Sequence, residues 1–364
     1  MSTVASATGG RSLRLPKPPG GLRVVALGGG TGLPNVLRGL SALLQVGRPI
    51  GGHAITRRSL VAIVATSDDG GSSGRLRREL GVMPPGDIRN CLAALAEEHG
   101  LLTELLQFRF ERGDGLAGHA LGNLVLAALA QVTHDMTRAI EIAGRALGAR
   151  GIVLPATTEQ ATLAAELDDG RVVHGEQAIV SSGRRIRRVR LLPETARPVP
   201  AALEALARAD TIVVGPGSLF TSLLPVLLAP GVPEALRHAP AVKIFVLNLM
   251  TEPGETDGFE ALEHLRVIEA HLGFQPFDWV LYNTAPLPAE LVAAYAAQGA
   301  RPVAVTRADV EALGASGARA WGAPLAAEGA PGRIRHHPGR VAAGIIACAL
   351  QGRREAGGIA LPER

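Results

Sequence analysis

Six short runs of consecutive apolar residues punctuate the chain, and each gives way to a polar or glycine-rich stretch. They are LRVVAL (Leu22 to Leu27), LVAIVAT (Leu60 to Thr66), TIVVG (Thr211 to Gly215), VKIFVLN (Val242 to Asn248), DWVLYN (Asp278 to Asn283) and PVAV (Pro302 to Val305). They are continuous rather than alternating, the pattern of strands covered on both faces. Segments with apolar residues at helical spacing lie between them, the longest from Leu92 to Leu147. The pattern predicts an α/β fold, a mainly parallel sheet with helices on both sides. From Gly151 to Leu192 the texture changes to short strand-like pieces around a DDG turn, which reads as a small β-rich insertion.

Composition narrows the function classes. The chain has 364 residues, 47% of them apolar, and no apolar run long enough to span a bilayer. Residues 1–21 are rich in Ser, Gly, Pro and basic side chains and lack a signal peptide's apolar core, so a disordered tail and a cytoplasmic protein are expected. A second short tail is expected at 356–364. The two cysteines, Cys91 and Cys348, sit in apolar helical patterns without metal-ligand spacing and read as buried free thiols. The net charge is +4 and the pI about 9.6, yet the only lysines are Lys17 and Lys243. The one dense basic cluster, RRIRRVR (Arg184 to Arg190), alternates with apolar residues like a strand with a solvated face. Few aromatics are present to stack bases, so no nucleic-acid partner is expected. A mild basic excess equally suits an anionic small ligand.

In open parallel sheets ligands bind beyond the carboxyl ends of the strands. The loops there read GGGTGLPN, SDDGGSSGR, GPGSLFTS, LMTEPGET and TAPLP. In the first, Gly28, Gly29, Gly30, Thr31, Gly32 and Asn35 lie at a strand–loop–helix junction, which supplies backbone N–H donors and a helix dipole for phosphate. The G-x-G-x-x-G spacing of dinucleotide sites fails, because Leu33 or Asn35 stands where the third glycine belongs, and no Walker lysine follows. A nicotinamide dehydrogenase is disfavoured. In the second loop, Asp68 and Asp69 have two available roles, acceptance from ribose hydroxyls or coordination of a magnesium ion that bridges phosphates, with Asp69 the more natural neighbour of the phosphate loop. Gly70, Gly71, Ser72 and Ser73 add donors there, and Arg75 or Arg77 is a candidate for neutralising phosphate. Asp87 either caps the helix that follows it or reaches the cleft with Asn90. His119 and Asn123 share a side of a helix opening at Gly118, and His119 is a candidate for ligand contact or proton transfer. Gly215, Gly217 and Ser218 repeat the strand, turn and helix pattern, with Ser218 as N-cap of a second anion or sugar pocket.

Taken in order, GGGTGL, DDGGSSGRLR, PPGDIRN, GHALGN, GPGSLFTSLLP and NLMTEPGET resemble the gluconeogenesis factor family, the YvcK-type proteins. These are similar to CofD-type enzymes, the magnesium-dependent 2-phospho-L-lactate transferases that act on the deazaflavin Fo. The resemblance runs from about Leu22 to Cys348. It implies a Rossmann-like three-layer fold forming a single CofD-like domain over residues 22–355, with the insertion at 151–192. It also implies a nucleotide or UDP-sugar ligand, a regulatory role in cell-wall synthesis and cell shape during gluconeogenic growth, and the possibility of homo-oligomers. The alternative is a phospholactyl-type transfer with Asp68 or Asp69 holding magnesium. The second loop separates the branches: the transferases follow their aspartates with an aromatic-containing stretch, whereas GGSSGRLRRELGVMPPGDIRN here is the regulator's version.

Overall fold

The computed structural model describes residues 22–44, 49–50, 53–54, 59–96, 100–329 and 332–355. The expected tails, 1–21 and 356–364, lie outside the described residues. In chain order the strands of the main sheet are β1 (Val24–Gly28), β4 (Leu60–Val64), β5 (Ile152–Pro155), β9 (Thr211–Val214), β10 (Val242–Val246), β11 (Trp279–Asn283) and β12 (Arg319–Ala323). A two-residue hairpin, β2 (Pro49–Ile50) and β3 (His53–Ala54), precedes β4. The seven strands are all parallel, in the order β12-β11-β10-β9-β1-β4-β5. The chain winds outward from β1 to one edge, returns beside β1 with β9, and winds to the other edge. That is the doubly wound arrangement, with its switch point between β1 and β9.

Alternation within each strand builds two cores. Val25 and Leu27 of β1, Ile63 of β4, Val214 of β9 and Phe245 of β10 belong to one; Val24, Ala26, Ala62, Val213 and Ile244 belong to the other. The second core is closed by α1 (Gly32–Leu44), α3 (Gly86–Leu95), α6 (Met136–Ala146) and α14 (Pro338–Glu355), with α4 (Leu101–Gln107) and α5 (Leu121–Thr133) outside them. The first is closed by α8 (Pro200–Ala207), a π-helical turn (Leu219–Leu223) running into α9 (Leu224–Leu227), α10 (Val232–His238), α11 (Ala261–Leu272) and α13 (Arg307–Ala315). Both cysteines are free and fully buried, and burial pushes the Cys348 thiol up to about 12.

Two expectations are corrected. Pro302 to Val305 is no strand: Pro302 makes one isolated bridge, to Met250, and the edge strand is β12, whose RAWGA sequence carries no apolar run. The first piece of the β-rich segment, β5, joins the main sheet; the separate antiparallel sheet comprises β6 (Thr162–Leu167), β7 (Val172–His174) and β8 (Ile186–Leu192), in the order β7-β6-β8. In β8 the arginines 187, 188 and 190 are exposed while Ile186, Val189 and Leu191 enter the first core, as the alternation predicts. Between β7 and β8 lies the six-residue α7 (Glu176–Ser181). A second hairpin, β13 (Ala326–Glu328) and β14 (Ile334–His336), closes over the carboxyl edge of the main sheet. Among the described residues no single helix is long and apolar enough to cross a membrane.

Candidate functional site

At the switch point the loops after β1 and β9 meet. α1 starts at Gly32, where an added Cβ would stand 2.1 Å from the Pro216 carbonyl oxygen, so only glycine lets the two loops touch. Gly30 has φ +60°, the left-handed region that glycine adopts without strain. Asn248, just beyond β10, pins the second loop: its Oδ1 accepts from Gly217 N at 3.0 Å and its Nδ2 donates to Gly217 O at 2.9 Å. Above these contacts opens a cavity of about 390 Å³. Gly30, Thr31, Gly32, Asn35, Gly217 and Ser218, six of the residues picked out from sequence, line it. Gly28, Gly29 and Gly215 shape the loops without lining the cavity.

The acidic loop is arranged differently. Asp68 Oδ1 accepts from Gly70 N at 2.8 Å, and its other oxygen lies towards Gly86. Asp69 turns away from the glycine loop. Its Oδ1 accepts from Gln177 N at 3.1 Å at the start of α7, and its Oδ2 lies where a side chain on Gly175 would begin. The two carboxylates are thus held apart, Asp69 by a donor of α7 in the insertion and Asp68 by its own turn, with its second oxygen towards Gly86. Gly71 opens α2 (Gly71–Leu80), whose first turn buries Ser72 and Ser73. Ser72 Oγ meets His119 Nδ1 at 2.9 Å and accepts from Asn123 Nδ2 at 3.0 Å; Asn123 Oδ1 in turn accepts from Arg89 at 3.1 Å. Ser73 Oγ accepts from Gly86 N at 3.1 Å. His119 and Asn123 do share a side, but against Ser72, and the helix opens at Leu121 rather than Gly118. Burial and the neighbouring Arg75 lower the His119 pKa, which keeps the ring neutral. Arg75 donates to Ala117 O and Arg77 to Thr162 Oγ1, so neither guanidinium is directed to the glycine loop.

Asp87 links the two regions. It does not cap α3: Pro85 holds the cap position and no side chain caps it. Instead Asp87 Oδ2 accepts from Gly30 N at 2.7 Å, occupying one donor of the glycine loop. Burial pushes its pKa up to about 6, against the pull of the Gly30 N–H, and the Asp68 charge adds to the rise. Glu176 of α7 is pushed to about 9 by burial and by Asp68, Asp87, Glu255 and Asp69 around it. Among the described residues no three His, Cys, Asp or Glu side chains converge as a ready metal cage. Magnesium is commonly held by one or two carboxylates plus ligand phosphates, and the Asp68–Asp87 pair beside the glycine loop is a donor set of that kind.

Several residues of the site escaped the sequence reading. Ser218 stands at the N-cap of the π-helical turn but makes no cap bond; its hydroxyl donates to the Glu252 carboxylate. The capping is done by Glu255, which accepts from Phe220 N at 3.1 Å and Thr221 Oγ1 at 2.8 Å, and burial pushes it up to about 7. Both glutamates lie in NLMTEPGET, a segment recognisable as a motif although no side chain in it was assigned. Tyr295 and Gln298 at the end of α12 (Ala289–Ala296) and Arg333, Arg335 and His336 of the hairpin complete the cavity wall. His336 donates Nε2–H to Leu247 O at 3.1 Å, and burial depresses its pKa to about 4. Nothing in the local sequence ties these residues to a loop some three hundred positions earlier. Asn90, the remaining predicted residue, lines a second cavity of about 460 Å³ that shares Thr31, Asn35, Arg335 and His336 with the first.

The family described as 2-phospho-L-lactate transferase CofD matches residues 24–322. A gluconeogenesis factor of Halalkalibacterium halodurans is 46% identical over 291 residues, covering 80% of this chain and 86% of that protein. The gluconeogenesis factor of Bacillus subtilis is 44% identical over 292 residues, covering 80% of this chain and 88% of that protein. The crystal structure of a UPF0052 family member from Bacillus halodurans superposes with a TM-score of 0.81 at 42% identity, covering 89% of this chain and 99% of that one.

Proposed function

The chain belongs to the CofD family, and on that premise we propose that it is a nucleotide-sugar-binding regulator of the gluconeogenesis-factor type, acting in the cytoplasm on cell-wall synthesis and cell shape. The observation that carries the reading is the cavity at the switch point. It combines backbone N–H groups at the start of a 13-residue helix, two hairpin arginines, and an apolar and aromatic wall from Leu249, Met250 and Tyr295. The first two features suit a diphosphate and the third a base. A magnesium ion, where present, would be held by Asp68 and Asp87 and would neutralise diphosphate charge beside Gly30. Thr31 and Gly32 would bind the phosphates, Arg333 and Arg335 would orient them, and Tyr295 would support the base.

The regulatory reading is preferred over phospholactyl transfer because the side chains that best resemble an acid–base pair, His119 and Ser72, are buried against each other and line neither cavity. A thermal-shift panel of UDP, UDP-hexoses, GDP, NAD and Fo, each with and without magnesium, tests the assignment. Uridine nucleotides should raise the melting temperature and Fo should not. Stabilisation by Fo, with product formed from an activated phospholactate donor, would establish the transferase instead.

A further inference from the structure

The two cavities adjoin along a ridge made by Thr31 and Asn35 of the α1 start and by Arg335 and His336 of β14. Their walls differ in chemistry. The first has Leu249, Met250 and Tyr295 in its lining. The second has side-chain amides, Asn35, Asn90 and Gln107, together with His337, the Glu328 carboxylate and the Arg38 guanidinium, which donates to Asn35 Oδ1. We infer that the second cavity is the glycosyl subsite, so that a nucleotide-linked hexose lies across the ridge with its diphosphate at Thr31 and Arg335 and its sugar against Asn90 and Gln107. This inference rests on the nucleotide-sugar reading and adds to it the place and chemistry of the sugar.

The hydrogen bonds already made determine what the second wall has left to offer. Asn90 Oδ1 accepts from Arg89 at 2.8 Å and Asn35 Oδ1 accepts from Arg38 at 2.9 Å, so each amide keeps its NH₂ for a ligand. His337 Nδ1 accepts from Arg340 N at 3.3 Å, which leaves the proton of the neutral ring on Nε2. Gln107, at the exposed end of α4, retains both donor and acceptor, and Glu328 is an acceptor. Neutral donors interleaved with acceptors match hydroxyl groups, each of which gives one hydrogen bond and takes others. Arg38 and Arg335 also line this wall and would attract a further phosphate, which the Glu328 charge would oppose, so UTP measured against UDP-glucose separates the two occupants. Both cavities fall within the roughly 300–1,000 Å³ usual for small-ligand sites, so neither half of such a ligand lacks room.

The test is calorimetry with UDP, UDP-glucose and UTP on the full-length protein and on two variants, Gln107→Ala, which removes a hydroxyl partner, and Gln107→Trp, which fills the cavity. Gln107 is exposed, so both variants should fold, and circular dichroism melting checks this. The wild type should bind UDP-glucose at least fivefold more tightly than UDP. That ratio should fall at least threefold in Gln107→Ala and to about one or below in Gln107→Trp. A ratio unchanged in both variants would place the sugar elsewhere and overturn the inference. So would a preference for UTP lost in the same variants, which would make the cavity a third-phosphate site. UDP bound without preference for the sugar would reject the subsite and leave the nucleotide reading standing; no binding of any uridine nucleotide would remove both.

Discussion

The loop after β1 and the loop after β4 look alike in sequence, glycine-rich and leading into a helix, yet the structure uses them in opposite ways. After β1, the start of α1 faces a cavity, and Gly30 N donates to a side chain, Asp87. After β4, the polar side chains are engaged within the protein: Asp69 by α7, Ser72 by His119 and Asn123, Ser73 by Gly86. A polar motif at a strand end marks a place where backbone groups need partners, but whether a ligand or the rest of the chain supplies them depends on what packs above. Above the second loop lie α7 and α5. Above the first, across open space, lie the hairpin β13–β14 and the end of α12.

Substitutions should separate the two loops, and the largest effect belongs to the contact on which both cavity walls depend. Gly32→Ala brings a methyl carbon against the Pro216 carbonyl, and the expected cost is about 3 kcal/mol or more, read as a large fall in denaturant midpoint with loss of nucleotide binding. Ser72→Ala, in the other loop, takes the Oγ partner from Asn123 Nδ2 and His119 Nδ1. It should cost about 1–3 kcal/mol of stability while nucleotide affinity, measured below the melting transition, stays within twofold. A large affinity loss in Ser72→Ala would mean that the Ser72 network contacts the ligand.

Asp87→Asn addresses the one residue joining the loops. Removing its charge while retaining an acceptor for Gly30 N should tighten UDP binding severalfold in chelator, on the order of 1 kcal/mol, and abolish the gain that magnesium brings to the wild type. Weaker binding in chelator would assign Asp87 to direct recognition of a ligand hydroxyl. The effect of Glu176 depends on pH. Its pKa is raised from 4.5 to about 9 on folding, so its favourable contribution is complete below 4.5 and is lost progressively as pH rises towards 9. Glu176→Gln escapes that loss: its melting temperature should match the wild type near pH 4 and exceed it by a margin that grows as pH rises to 8. An advantage confined to low pH would contradict the raised pKa.

Much of the fold was legible because both-face burial writes itself as continuous apolar runs, and five of the six runs are strands of the sheet. The failures share a cause. Edge strand β12 is only half-buried, so RAWGA carries no such run, while PVAV is apolar yet pairs only through Pro302. In the site, the glycines and Asn35 were found because a strand–loop–helix junction is a local pattern. Asn248, Glu252 and Glu255 act through contacts 31 to 35 residues away, and Arg335 and His336 through a hairpin whose alternation resembles any short surface strand. Asp87 was recognised as polar and near a helix start, but its partner, Gly30, lies 57 residues back, and no spacing rule connects them.

The central claim, that the diphosphate binds at the open loop and not at the engaged one, is tested most directly by a crystal structure of the protein grown with UDP and magnesium. Density for the diphosphate against Thr31, Gly32 and Arg335, with the uracil near Tyr295 and with Ser72, His119 and Asn123 unmoved, is the result predicted. A diphosphate bound at Asp68 to Ser73, with Ser72 released from His119, would contradict it.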